Sequence, residues 1–69
     1  MVSVYKTNVG THNQLDTIRP LLNRINTITH WNIDQEDCDK VLRVVWNEDL
    51  SVVLISKIQR LGFICEELE

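Results

Sequence analysis

A chain of 69 residues has room for one small domain, with a core only marginally sufficient for its size. Hydrophobic residues make up 43% of it and charged residues 25%, an ordinary globular composition that argues against disorder. Ten acidic residues against seven basic ones give a formal charge of −3, which leaves no electrostatic footprint for nucleic acid.

Residues Met1 to Val9 read as a first strand, rich in β-branched and aromatic residues. With Val9 entering the core, Tyr5 and Thr7 face inward with it, and Val2 and Val4 lie on the outer face. Gly10 supplies freedom for the turn that follows. Thr11 and, three residues on, Gln14 match a capping box, so a helix starts at about His12. Leu15, Ile18, Leu21, Leu22 and Ile25 recur at helical spacing and form its apolar face. Pro20 falls inside this pattern and predicts a kink, with the carbonyl of Asp16 freed.

Ile28 to Ile33 alternates as a second strand, with Trp31 and Ile33 inward. The acidic run from Asp34 to Asp39 lacks the central glycine and bidentate glutamate of a calcium loop and reads as a solvated hairpin tip. Lys40 to Trp46 is the third strand, antiparallel to the second, with Leu42, Val44 and Trp46 inward. Asn47, Glu48, Asp49 and Ser51 offer helix caps, and Val52, Leu54, Ile55, Ile58 and Leu61 supply a second apolar stripe. Gly62 ends that helix, and Phe63 to Glu67 forms a last strand. The order strand, helix, strand, strand, helix, strand predicts an α+β, ferredoxin-like βαββαβ fold, with sheet order 4-1-3-2 and both helices on one face.

The loop after the first strand, Ile18 on the next helix, the Ile33-Asp34 ending of the second strand and the Leu61-Gly62-Phe63 passage together resemble a heavy-metal-associated domain over essentially the whole length. Small copper chaperones and the N-terminal modules of metal-pumping ATPases have this fold. The resemblance implies Met-x-Cys-x-x-Cys in the first loop, where two thiolates hold a soft ion. Aligned on Ile18, those cysteine positions carry Thr11 and Gln14, and the methionine position carries Val9. Hydroxyl and amide oxygens do not replace two anionic sulfurs, so the chain reads as a degenerate member that keeps the scaffold without the soft-metal grip. No cofactor is expected.

The alternative is a copper or zinc carrier that recruits His12, Cys38 or Cys65, within one chain or across a dimer. Within one chain the second and fourth strands lie at opposite sheet edges, roughly 14 Å apart, too far for one cage or a disulfide. Each of the three also has a plain reading: Cys65 as a small core residue, Cys38 as an inert turn thiol among carboxylates, and His12 as an exposed imidazole at a helix start. His30 is expected on the sheet's outer face.

Neither a nucleophile-and-base motif nor a phosphate-cradling glycine loop is present, so the chain is read as non-catalytic. Without an apolar run of bilayer length or a secretion-signal pattern, the expected compartment is the cytoplasm, with no membrane partner. The candidate binding loop is Gly10, Thr11, His12, Asn13 and Gln14. The candidate interface is the open sheet face with Val2, Val4, Val41, Arg43 and Val45, joined by Ile64 and Ile28. It serves a protein partner or self-association, either through that face or by edge-strand pairing. The rival reading is a monomer whose long Lys, Arg and Glu stems cover the valines.

Overall fold

The computed structural model describes residues 1–34 and 40–68. The hairpin tip at 35–39, and Cys38 with it, lie outside the described residues. Six elements follow in the predicted order: β1 (Val2–Thr7), α1 (His12–Arg24), β2 (Ile28–Asp34), β3 (Lys40–Trp46), α2 (Ser51–Arg60) and β4 (Cys65–Leu68). The strands form one antiparallel sheet of order β2-β3-β1-β4, which is the expected 4-1-3-2 order read from the other edge. The domain is therefore α+β and ferredoxin-like.

Alternation along the central strands explains the core. Tyr5 of β1 and Leu42, Val44 and Trp46 of β3 point to one face, where they meet Ile18 and Leu22 of α1 and Leu54 and Ile58 of α2. Every one of these side chains is at most 2% exposed. Trp31 and Ile33 face the same way from β2 but are only half-buried, as expected at a sheet edge.

The start of α1 and the end of α2 follow from local chemistry. Thr11 Oγ1 accepts from the Gln14 backbone N–H at 3.1 Å, and Gln14 Oε1 accepts from the Thr11 N–H at 3.2 Å, a complete capping box. The helix runs unbroken through Pro20 to Arg24. At the end of α2, the Gly62 N–H donates to Gln59 and the Phe63 N–H to Ile58, while Gly62 takes φ +93°. This is a Schellman cap, in which only glycine sits without strain.

Four expectations are corrected. β4 begins at Cys65 rather than Phe63, because the Phe63 N–H is spent on the helix cap and the Ile64 N–H on Asn8 Oδ1 at 2.9 Å. Val52 is 83% exposed: the buried stripe of α2 runs through Ser51, Leu54 and Ile58, and Val52 sits a helical step off it. Ile28 packs against the core instead of joining the outer face, because a bulge at Thr29 sets Ile28 opposite Trp46 while His30 pairs with Val45. Gly10 has no left-handed φ, and the space beside it is filled instead, since an added Cβ would lie 3.3 Å from Lys40 Cε.

Candidate functional site

The loop from Asn8 to Gln14 is held by its own polar atoms. Thr7 Oγ1 donates to the Lys40 carbonyl at 2.6 Å and accepts from the Val9 N–H at 3.3 Å. Gln14 Oε1 accepts from the Gly10 N–H at 2.8 Å as well as from Thr11. Asn8 Oδ1 ties the loop to the approach of β4. Val9 is fully buried. The oxygens of Thr11 and Gln14 are thus committed to capping α1, and the loop presents His12 and Asn13 to solvent without converging donors.

Among the described residues, no three His, Cys, Asp or Glu side chains gather in a metal-holding group. Cys65 is 3% exposed in the core, and burial, with a smaller push from Glu67, raises its thiol to about 11. A thiol so placed is protonated at neutral pH, while His12 is exposed on the first turn of α1. His30 stands on the outer face as expected, paired with Val45.

The outer sheet face is laid out by the strand register. One row runs His30, Val45, Val2; the next Asn32, Arg43, Val4, Leu68; the third Asp34, Val41, Lys6, Glu66. Val2 is 62% exposed, Ile64 57% and Leu68 41%, whereas Val4, Val41 and Val45 are half-buried by their neighbours. The face is therefore an apolar diagonal with two cations, Arg43 and Lys6, near its centre and carboxylates at both edges. Both helices lie on the opposite side.

A polar cluster that the linear pattern did not reveal lies under α2. Tyr5 Oη meets Ser51 Oγ at 2.5 Å, Ser51 Oγ in turn donates to Asp49 Oδ1, and that oxygen also accepts from the Ser51 N–H at 2.8 Å. Ser3 Oγ donates to Asp49 Oδ2 at 3.5 Å. With the serine proton directed at the carboxylate, the phenol donates to the serine. Burial raises the Tyr5 pKa, and the two hydrogen bonds from Ser51 hold the Asp49 carboxyl below its usual range. The Trp46 indole N–H lies near the phenol and favours its ionised form, yet meets no acceptor at hydrogen-bonding geometry. Tyr5 is fully buried and Ser51 only 9% exposed, so the cluster locks the start of α2 to β1 and leaves no room for a substrate. The inward parity of Ser3 and Tyr5, with Asp49 two residues before Ser51, was the available signal.

The described residues also line shallow grooves. One of about 270 Å³ lies between α1 and the β2 edge, lined by Leu22, Asn23, Ile28 and Trp31 among others. Here Trp31 Nε1 donates to Asn23 Oδ1 at 3.2 Å, and the Arg19 guanidinium sits 5.7 Å from the Trp31 ring centre. Another, about 300 Å³, runs between the helices beside Pro20, Leu21 and Leu61, with Arg24 and Lys57 on its rim. No helix among the described residues is long and apolar enough to cross a membrane.

Compared with protein-family models, curated proteins and solved structures, the chain matches none. The class defined by its fold is the ferredoxin-like α+β domain.

Proposed function

We propose that this is a non-catalytic interaction domain, built on a scaffold like that of heavy-metal-associated domains, which engages a different protein through the open sheet face. The observation that carries the reading is the uncovered diagonal of Val45, Val2, Val4 and Leu68 beside Arg43. An occupant fitting it sets apolar side chains against the valines and a carboxylate opposite the guanidinium, which then binds it in a fork. Self-packing fits less well. A two-fold axis along the strands sets Asp34 against Glu66 of the copy, and one across the centre of the face sets Arg43 against itself.

The test is affinity capture from the native host with the wild-type chain, a Val2→Ser/Arg43→Glu face variant and a Val52→Ser control. A partner held by wild type and control, and lost from the face variant while its melting temperature stays within a few degrees, supports the reading. Capture that ignores the face substitutions overturns it.

A further inference from the structure

The two free edges of the sheet differ in how they are guarded. β4 is four residues long and carries Glu66 and Glu67, a short charged edge of the kind that resists pairing. β2 is seven residues long and has no lysine, arginine or proline. Its only interruption is the bulge at Thr29, so the five residues from His30 to Asp34 form a regular run, and among the described residues no strand pairs with its outer side. Its inward residues Trp31 and Ile33 stay half-exposed, unlike Leu42 and Val44 opposite them, which are fully buried.

The geometry points to a second copy of this chain as the occupant of that edge, the two β2 strands pairing antiparallel about a two-fold axis at Asn32 to make one eight-stranded sheet. The register follows from the bulge. Centred on Asn32, the pairing uses the five regular residues of each copy, whereas centred on Trp31 it would set Ile33 against the bulged Thr29. With the axis at Asn32, the five residues complement themselves on both faces. Trp31 lies opposite Ile33 of the copy, an aromatic and β-branched pair on the core side. His30 lies opposite Asp34 of the copy, a donor against a carboxylate on the outer side, and the two Asn32 amides meet at the axis with matched donors and acceptors. Groups from α1 flank this seam, since Arg19 and Asn23 both reach Trp31. The outer face remains open in such a dimer, so the proposal is independent of the partner reading above.

The experiment is sedimentation equilibrium from 5 to 500 µM, paired with oxidative cross-linking. The expected result is a species of twice 8.1 kDa at the upper concentrations. Asn32→Lys, which sets two ammonium groups against each other at the axis, weakens it at least tenfold, while Val2→Ser/Arg43→Glu leaves it intact. In a Cys38→Ser background, Asn32→Cys gives a disulfide-linked dimer on mild oxidation, because residues facing each other across an antiparallel pair bring their α-carbons to about 4.5–5.5 Å. Thr29→Cys does not. A single 8.1 kDa species throughout overturns the proposal, as does a dimer abolished by the face variant or indifferent to Asn32→Lys. Cross-linking at Thr29 in place of Asn32 overturns the register.

Discussion

The Tyr5–Ser51 contact makes an unusual demand on mutational data. Tyr5 is fully buried, its hydroxyl 2.5 Å from Ser51 Oγ. Tyr5→Phe removes one net hydrogen bond, about 1 kcal/mol, and leaves Ser51 still donating to Asp49. Ser51→Ala is worse: it removes the 2.5 Å partner of the phenolic O–H and leaves beside it the Ser3 hydroxyl, which donates to Asp49, and the Trp46 indole, itself a donor; an unsatisfied buried group costs about 1–3 kcal/mol. Combining the two removes both partners, so the double variant is more stable than Ser51→Ala alone by about 1 kcal/mol. At about 0.05–0.15 kcal/mol per residue the whole domain holds only about 3–10 kcal/mol. A change of 1 kcal/mol moves the melting temperature by about 4–8 °C in a domain of this size, well within reach of calorimetry or urea titration. Losses that simply add in the double variant refute the coupling, and with it the assignment of Ser51 as the partner of the phenol.

Gln14→Ala leaves the Gly10 and Thr11 N–H groups without their acceptor and lowers stability by about 1 kcal/mol, whereas Gln14→Glu restores it, since a carboxylate accepts the same bonds and suits a helix N-terminus; thermal melts separate the two. In a Cys38→Ser background, Cys65 reacts with a thiol reagent at pH 8 at least a hundredfold more slowly in the native protein than in urea. Raised from 9.0 to about 11, it is about a thousandth thiolate at that pH against about a tenth when unfolded, and burial slows access further. Asp49 has a native pKa held below its ordinary 3.8, so it supports folding above that value and the support is lost as pH falls through the lower native one. The stability gap between wild type and Asp49→Asn is therefore full at pH 6 and closes towards pH 2 in acid-dependent melts. Gly62→Ala forces a Cβ into φ +93° and costs about 1–2 kcal/mol in urea titration, although no atom lies within 4 Å of the added methyl.

Where a residue's fate depends on period alone, its place was legible from the chain. Tyr5 and Thr7 went inward on β1 and Val9 just beyond it, Leu42, Val44 and Trp46 on β3, and the capping box fixed the start of α1 to the residue. What escaped the pattern depends on hydrogen bonds between distant segments. The Ile64 N–H leaves the sheet ladder because the side-chain oxygen of Asn8, 56 positions away in sequence, accepts it, and β4 starts two residues late as a result. Likewise the bulge at Thr29, whose hydroxyl donates to the Val45 carbonyl at 3.1 Å, flips Ile28 from solvent to core without any glycine or proline to announce it. The same distinction governs the candidate sites. The side-chain oxygens of Thr11 and Gln14 are consumed by backbone N–H groups of the same turn, so the loop that organises the fold has little chemistry left to offer a ligand. The unsatisfied demand lies elsewhere: in exposed Val2 with the half-buried valines around Arg43, and in the outer side of β2, two surfaces that become visible only once the strand order sets which residues share a face and which strand, among the described residues, lacks a neighbour.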